Sequence, residues 1–457
     1  MRSTGIRRLA RSSLLLAWLT VTHTASLPAP AADSDAPDQA LLEMIVDLLR
    51  ETDRDLRALG WQQVREEVPG AAATQRFVEL LPLLLPEAQA GLIEALGERG
   101  DPHARVAVVA ALDSDHAPVR VAALRALGSL GGAGDIPRLA TIAATGLDDE
   151  QRAAAQALLR LRGDDIHPAM VSVSKSAQPG VRAQLLNALG ARNATDTLPA
   201  VLQAARHSDL TVQTAALQAL RQLAAPADTQ QLVELLTGSH LNTAAAREHL
   251  LQILLTLASR GGETCVPALR EGLEQTDESG QILLLQALAR AGGPAARETL
   301  LAFLESQTPT VRLESLRLLA NCSDPVLVPP LLEIARGEEL RPHVLALRGL
   351  VRLADARDDR PADAKLLGQL WTAARRPEEQ RLILAAYSRA RGEETLTQLV
   401  SLLDDSHLTE EIAWAIVAVA ERSDHSEAVG PALQRVLEVT QHAWARERAE
   451  QIIEEER

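Results

Sequence analysis

Residues 115–128 of the chain read DHAPVRVAALRALG. From Val119 to Leu130 the apolar side chains recur at intervals of three and four residues, which is the pattern of one face of an α-helix. Pro118 suits the first turn of that helix, where the N–H that proline lacks has no helical partner. Gly128 and the glycines that follow it suit the end of the helix, where a positive φ angle is needed. The segment therefore predicts one short helix with a defined beginning and end.

The same segment returns along the chain at a regular step. Its final leucine, here called the anchor leucine, recurs at Leu96, Leu127, Leu158, Leu189, Leu220, Leu254, Leu288, Leu319 and Leu350. The step is constant from Leu96 to Leu220 and again from Leu288 to Leu350, and it is slightly longer on both sides of Leu254. Prolines stand ten residues after some anchors, at Pro137, Pro168, Pro199 and Pro329. Others precede the helix, at Pro86, Pro118, Pro179, Pro309 and Pro377. Each unit thus reads as two helices, for example about 101–112 followed by 119–130.

Composition agrees with a helical repeat. The chain has 457 residues, is 46% hydrophobic and 23% charged, and holds five Trp, two Phe and one Tyr. So few aromatic residues argue against a β-sandwich or β-barrel. A single helix of about 10–14 residues cannot bury its apolar face alone, so neighbouring pairs are expected to stack. Alanines on the contact faces allow the helix axes to approach closely.

These motifs resemble those of the HEAT-repeat family, specifically the bacterial HEAT-like repeats also found in phycobilin-lyase-type proteins. The resemblance is clearest in residues 115–128 and extends over about residues 38–456. It implies an all-α, right-handed α-solenoid (superhelix) of about twelve HEAT-like helix pairs. The chain departs from the pattern in an acidic first unit, in a longer step from Leu350 to Tyr387, and in a polar end typical of a capping helix.

The sequence divides into five predicted segments. They are a signal peptide (1–31), an N-terminal linker and capping helix pair (32–67), regular HEAT-like repeats (68–354), a charged inter-repeat loop (355–363), and C-terminal HEAT-like repeats with a capping helix (364–457).

The predicted signal peptide carries four arginines, no acid, and an apolar stretch over 14–21. That stretch is too short to span a bilayer and matches the apolar region of a signal peptide. Ala29-Pro30-Ala31 reads as a cleavage site, with Thr24-Ala25-Ser26 as an earlier option, which places cleavage near residues 25–32. A cytosolic amphipathic start and an uncleaved or lipid-linked anchor are the alternatives. We expect export to the bacterial periplasm or the exterior, without membrane insertion after signal removal.

The net charge and the motif content of the chain narrow the range of possible functions. The formal charge is −15, and loss of the leader would take it to −19, so general nucleic-acid binding is not expected. The sequence contains no His-Glu-x-x-His, Gly-x-Ser-x-Gly or Cys-x-x-Cys motif. We therefore predict no catalytic residue, no cofactor and no metal site. The repeat phase places Cys265 and Cys322 about two helix layers apart, on the order of 20 Å, so two free thiols are expected even after export.

One pattern has a functional interpretation. Two residues before each anchor leucine the side chain is long, polar and never acidic in eight consecutive units. We call these residues the second-helix ladder: Arg125, Gln156, Asn187, Gln218, Gln252, Gln286, Arg317 and Arg348. In the family that the chain resembles, the second helices line the concave side of the array. The ladder is therefore the candidate surface for binding an extended polypeptide or an anionic glycan.

A second non-acidic set stands seven residues before the anchors. We call it the minus-seven series: Gln89, Arg120, Gln151, Arg182, Gln213, Arg247, Gln281, Arg312, His343 and Gln380. It has two interpretations, a second binding stripe or a structural ladder of ion pairs between repeats. The ion pairs would use Asp115, Asp209 or Asp277.

The predicted function is that of an exported, non-enzymatic protein–protein interaction scaffold, whose protein partner the sequence does not identify. One alternative is an accessory lyase or chaperone-like protein, by analogy with the phycobilin-lyase group. Export argues against it, because bilin attachment takes place inside the cell. The other alternative is a structural spacer without a binding groove.

Overall fold

The structure is a computed structural model that describes residues 35–455 except 239, 242, 356–361, 404–406 and 424–426. The predicted signal peptide and most of the predicted 355–363 loop lie outside these residues. Within them the chain forms twenty-six α-helices and no β-strand, which confirms the all-α prediction. The helices divide into two compact units, Met1–Ala123 and Leu124–Arg457.

The helices of the first unit are α1 (Asp35–Arg50), α2 (Arg54–Glu66), α3 (Ala71–Leu80), α4 (Pro86–Arg99), α5 (Arg105–Ala111) and the first half of α6 (Ala117–Leu130). Helix α1 packs against α2, and α2 packs against α4. The helix predicted over 101–112 is shorter than expected, because residues Pro102–Ala104 form a 3₁₀ turn before α5.

After the second half of α6, the second unit contains α7 (Ile136–Thr145), α8 (Asp148–Arg160), α9 (Ile166–Ser176), α10 (Pro179–Ala191), α11 (Leu198–Ala205), α12 (Leu210–Leu223), α13 (Thr229–Thr237), α14 (Ala244–Gly261), α15 (Val266–Leu273), α16 (Glu278–Ala291), α17 (Gly293–Ala302), α18 (Pro309–Ala320), α19 (Val328–Arg336), α20 (Leu340–Ala354), α21 (Ala364–Ala373), α22 (Pro377–Tyr387), α23 (Glu393–Leu402), α24 (Thr409–Ala420), α25 (Val429–Val439) and α26 (Ala443–Glu455).

Within the second unit, odd-numbered helices are the first and even-numbered helices the second member of each pair. Each first helix packs against the second helix that follows it. Second helices also pack against the second helices of neighbouring repeats, as α10 does against α8 and α12, and first helices do so among themselves, as α13 does against α11 and α15. This two-layer arrangement is that of an α-solenoid. The described residues give thirteen pairs in chain order, against about twelve predicted.

The predicted markers occupy the expected places. All nine anchor leucines are at most 1% exposed, and full burial of a leucine side chain contributes about 1.5–3 kcal/mol. Pro179 and Pro309 begin second helices, and Pro137 and Pro199 lie in the first turn of first helices. At each of these positions the missing N–H leaves no hydrogen bond unmade.

The glycines beside the anchor leucines have a role other than the predicted one. The predicted positive φ angle is found neither at Gly128, which lies within α6, nor at Gly131 and Gly132 after it. Of the asparagines that follow later anchors, Asn193 has a positive φ angle (54°) and Asn321 does not (−91°). At Gly190 in α10 a Cβ atom would lie 2.8 Å from the Cα of Ala219 in α12. Gly349 in α20 has the same relation to Ala320. These glycines let neighbouring second helices approach closely.

Arginines connect the ends of successive second helices. Arg192 donates to the carbonyl oxygens of Leu158 and Leu159 one repeat earlier, at 3.0 and 2.7 Å. These oxygens end α8 and lack helical partners, so the guanidinium satisfies them. Burial lowers the pKa of Arg192, which stays charged at neutral pH. Residues with equivalent contacts to the preceding second helix or to the loop after it, here called the carbonyl-capping arginines, are Arg99, Arg192, Arg352 and Arg422.

Both cysteines are free thiols, as predicted. Cys265 is buried and its sulfur accepts a hydrogen bond from the Thr229 hydroxyl at 3.3 Å. The Cys322 sulfur lies 3.4 Å from the carbonyl oxygen of Leu318, and burial raises the pKa of this thiol.

Candidate partner-binding surface

The second-helix ladder lies along successive second helices from α6 to α20. Seven of its eight members are exposed, and Gln286 is half-buried. The anchor leucine two positions later is buried in every case, because residues two apart on a helix point in nearly opposite directions. The structure therefore places the predicted site residues at the surface of the second-helix layer.

Three ladder residues donate hydrogen bonds to neighbouring acidic side chains. Gln286 donates to Glu314 Oε1 at 2.9 Å, and Arg317 donates through Nε to Glu314 Oε2 at 2.7 Å. The hydrogen bond from Arg317 lowers the pKa of Glu314, although partial burial opposes it. Gln252 donates to Glu248 Oε1 at 2.9 Å. In this middle part of the ladder the side chains are held by acids of the solenoid itself.

Asn187 and Gln218 line a groove of about 480 Å³ between α10 and α12. Thr211, Thr214 and the half-exposed Leu210 complete its polar and apolar walls. Neither amide forms a side-chain hydrogen bond with any residue that the structure describes. The groove thus offers uncharged donors and acceptors beside an apolar surface, which suits the backbone of an extended peptide.

Arg348 lines a second groove, of about 420 Å³, between α20 and α22. Two other arginines of this groove are already paired. Arg389 binds Asp355, with its Nε 2.9 Å from Oδ1, and Arg376 Nε donates to Glu379 at 2.7 Å. Arg348 itself is exposed and forms no ion pair within the described part of the chain. It is therefore available to an incoming carboxylate.

Several members of the minus-seven series have a structural role inside their own repeat. Gln213 and Gln281 donate through Nε2 to the carbonyl oxygens eight residues earlier, at the end of the first helix, both at 3.1 Å. Arg120 and Arg312 donate to the carbonyl oxygens six residues earlier, at 2.7 and 3.0 Å. These contacts satisfy orphan carbonyls and fix the turn between the two helices of a pair.

The ion-pair interpretation of this series holds at Arg247, and His343 also contacts a carboxylate of the next repeat, that of Glu379. Arg247 binds Asp277 of the next repeat at 3.1 Å. Asp209 instead caps α12, where its carboxylate accepts from the N–H groups of Thr211 and Val212. Because the members of the series named here are engaged within or between the repeats, they are not part of the candidate binding surface.

The sequence pattern described as HEAT repeats matches residues 75–160, 168–252 and 266–348. These matches together cover more than half of the chain. The chain belongs to the HEAT-repeat family. A comparison with curated protein sequences gives no significant match.

Among solved structures, matches to this HEAT-repeat protein include Kap121p and importin beta. Kap121p bound to Ste12p has a TM-score of 0.49 and 14% identity, over 91% of this chain and 53% of Kap121p. Importin beta has a TM-score of 0.35 and 13% identity, over 90% of this chain and 72% of that protein. The HEAT-repeat chain spans about half of the length of Kap121p.

One buried contact between a histidine and a glutamate joins two HEAT repeats. His343 in α20 is 0% exposed, and its Nε2 lies 3.1 Å from Glu379 Oε2 in α22. Its Nδ1 contacts the carbonyl oxygen of Ala335. Glu379 also accepts from the backbone N–H groups of Arg375 and Arg376, at 2.8 and 3.3 Å. Burial alone would raise the pKa of Glu379, but these hydrogen bonds together lower it to about 2.

We expect Glu379 to make stability depend on acid pH. Its pKa is about 2 in the folded chain and 4.5 ordinarily, so its contribution is complete above pH 4.5 and is lost as the pH falls towards 2. A difference of this size corresponds to about 3 kcal/mol. Urea unfolding of the wild type and Glu379→Gln should show a stability gap at pH 6 that narrows steadily between pH 4.5 and 3. A gap that stays constant over this range would contradict the assignment.

Among the residues that the structure describes, no helix is long and apolar enough to cross a membrane. The same residues contain no cluster of three or more His, Cys, Asp or Glu side chains arranged to hold a metal ion.

Proposed function

We propose that this HEAT-repeat protein is a non-enzymatic scaffold that holds an extended segment of a partner protein along its second-helix layer. The observation that carries the proposal is the exposure of seven of the eight ladder residues on consecutive second helices. Each repeat adds a small number of polar contacts. Many such contacts along one segment give affinity through their number rather than through one deep pocket.

The two grooves suggest the chemistry of the segment. Asn187 and Gln218 carry amides that can pair with peptide N–H and C=O groups, and Leu210 offers an apolar contact. Arg348 would pair with a carboxylate of the partner. An extended segment that carries a carboxylate where it meets Arg348 fits both grooves. The acidic character of the whole chain makes nucleic acid a poor partner.

We further propose that binding takes place outside the cytoplasm of a bacterium. The support is the sequence that precedes the repeats, with its arginines and its short apolar stretch. Sequencing the N-terminus of the protein purified from its source would test this, with a start between residues 25 and 32 as the expected result. Retention of Met1 would contradict it.

The spacer alternative is favoured by one observation. Gln252, Gln286 and Arg317 are engaged with acids of the solenoid itself, which lowers their capacity to bind a partner. The two alternatives differ in whether Asn187, Gln218 and Arg348 contribute to binding.

A capture experiment separates them. The chain is immobilised, exposed to an envelope extract of the source cell, and compared with the triple variant Asn187→Glu, Gln218→Glu, Arg348→Glu. The control is the triple variant Ser172→Glu, Lys175→Glu, Gln203→Glu, which changes the charge equally on the exposed surface of first helices α9 and α11.

We expect the wild type and the control to retain one stoichiometric protein and the ladder variant to lose about tenfold or more of it. Surface changes of this kind usually alter stability by no more than about 0.5 kcal/mol each, so the melting temperatures should remain similar. Equal recovery from all three would contradict the proposal. A bound chromophore instead of a protein would favour an accessory-lyase role.

A further inference from the structure

Two tryptophans lie side by side at the surface of the C-terminal repeats. Trp414 in α24 is 47% exposed and Trp444 in α26 is 41% exposed. Their ring centroids are 6.0 Å apart and the rings are tilted by 33°. The chain has only eight aromatic residues, and Phe77 and Tyr387 are completely buried. Exposure of two adjacent indoles leaves a large apolar surface in water, as is common at binding sites.

A cavity of about 500 Å³ adjoins Trp414. It lies between α22 and α24 and reaches the segment before α26. Its floor is apolar, with Leu384, Ala385 and Ala415, and its rim carries Arg381, Glu411 and His442. Trp414 also lines the cavity, so a side chain that enters it would lie beside an aromatic residue.

The carboxylate of Glu410 holds the rim in place, and its oxygens are already engaged in hydrogen bonds. Glu410 accepts from the Thr440 hydroxyl and from the backbone N–H groups of Gln441 and His442, at 2.9 and 3.3 Å for the latter two. These hydrogen bonds lower the pKa of Glu410. Glu410 therefore fixes the segment before α26 and leaves Glu411 as the carboxylate that faces an incoming group.

The segment that carries both indoles is acidic in composition. Residues 407–455 contain ten acidic residues and four arginines. Glu411 contacts Arg381 only at 3.4 Å, and both side chains are about half exposed. Glu447, one turn after Trp444, is exposed and forms no ion pair within the described residues. This field favours the approach of a cation over that of an anion.

We propose that Trp414 and Trp444 form a docking site for arginine or lysine side chains of a basic polypeptide segment. A guanidinium group stacks on an indole face, gains from its negative quadrupole, and keeps its edge free for Glu411. The long apolar stem of the side chain would contact Leu384 and Ala415 in the cavity. The site lies on α22, α24 and α26 and is independent of the second-helix ladder, which ends at Arg348 in α20.

Fluorescence anisotropy of labelled peptides tests the proposal. The first peptide is Gly-Ser-Arg-Gly-Arg-Ser-Gly, and the second has citrulline in place of arginine, which keeps the shape and removes the charge. A third has leucine and a fourth glutamate at the same positions. They are titrated with the full chain and with its Trp414→Leu, Trp444→Leu and Glu411→Gln variants. Trp371→Leu, in first helix α21, is the matched control.

We expect the arginine peptide to bind the wild type and the Trp371→Leu control. Either Trp414→Leu or Trp444→Leu should weaken its Kd about five- to thirty-fold, and citrulline should do the same. Glu411→Gln keeps the size of the side chain and should weaken binding without altering the circular dichroism spectrum. Raising the salt from 50 to 500 mM should weaken the charge-dependent part.

Three results would overturn the proposal. Equal binding of the citrulline or glutamate peptide would show that positive charge is not recognised. Tighter binding of the leucine peptide would assign the cavity to an apolar side chain. Self-association of the chain that disappears in Trp414→Leu would assign the indoles to a second copy. The ladder variant Asn187→Glu, Gln218→Glu, Arg348→Glu should bind the arginine peptide normally. The proposal for this site and the proposal for the ladder are therefore tested independently of each other.

Discussion

Replacing His343 by leucine is expected to destabilise the repeats around α20 and α22 by about 3–5 kcal/mol. The imidazole is 0% exposed, and its two nitrogens face a carboxylate and a carbonyl oxygen. Leucine has a similar volume but satisfies neither group. Glu379 would keep its hydrogen bonds from Arg376 and the backbone, yet it would lose its partner from the preceding repeat. Hydrogen exchange of the α20 and α22 amides measures the local effect directly.

His167→Leu is the matched control for this prediction. His167 also lies 3.1 Å from a carboxylate of the next repeat, Asp196, but the two side chains are 27% and 59% exposed. Exposed pairs of this kind contribute about 0–1 kcal/mol. If His343→Leu and His167→Leu changed exchange equally, burial would not be the reason for the strength of the His343–Glu379 pair.

Gly190→Ala should destabilise the contact between α10 and α12 by about 1–3 kcal/mol, although alanine is the better helix former. The new Cβ atom would lie 2.8 Å from the Cα and 3.1 Å from the Cβ of Ala219. The nearest atom belongs to a backbone and cannot rotate away. The two helices must therefore separate, which also disturbs the contacts of the neighbouring repeats.

Gly180→Ala provides the opposite expectation within the same helix. Gly180 lies in the first turn of α10, its φ angle is ordinary, and the nearest atom to a Cβ there, the Cβ of Ala144, lies at 3.9 Å, an ordinary contact distance. Alanine should stabilise this helix by up to about 1 kcal/mol. Thermal unfolding should therefore move in opposite directions for the two variants. A lower melting temperature for both would mean that helix propensity and space do not account for either glycine.

The sequence predicts the fold well because its markers act locally. An anchor leucine must be buried, and a proline such as Pro179 must stand in a first turn, whatever the rest of the chain does. The regular period of the anchors then predicts that the repeats stack. The position of a residue relative to its anchor predicts whether its side chain is exposed, as it is at Asn187. Each of these steps needs only helical geometry.

The sequence misassigns features that depend on a neighbouring repeat. Gly128 suits a helix end by residue type, but its lack of a Cβ atom serves the approach of α8, because a Cβ there would lie 3.1 Å from the Cβ of Arg160. Gln213 has a side chain that could bind a partner, but its amide donates to the carbonyl oxygen of Ala205. The residue type shows that a side chain can donate a hydrogen bond, and only the three-dimensional arrangement shows which acceptor it uses.

The sequence pattern did not predict that Trp414 and Trp444 lie together, for a related reason. The anchor series ends at Leu350, and the longer step to Tyr387 removes the phase by which the later repeats would be aligned. A signal was nonetheless present, because the distance along the chain from Trp414 to Trp444 is close to one repeat. Equal residues at that spacing lie on adjacent second helices and can touch.

The carbonyl-capping arginines also bear on how such a chain can change in length. Arg192 and Arg352 each reach back by about one repeat, to residues 158–159 and 320–322 respectively. The donor at the end of one unit therefore matches the acceptor at the end of the unit before it. A duplicated unit brings its own donor and its own acceptor, so insertion of a whole repeat leaves no group unmatched at either junction. Gene duplication in multiples of one repeat would lengthen the array at little cost, whereas a partial duplication would leave one end uncapped.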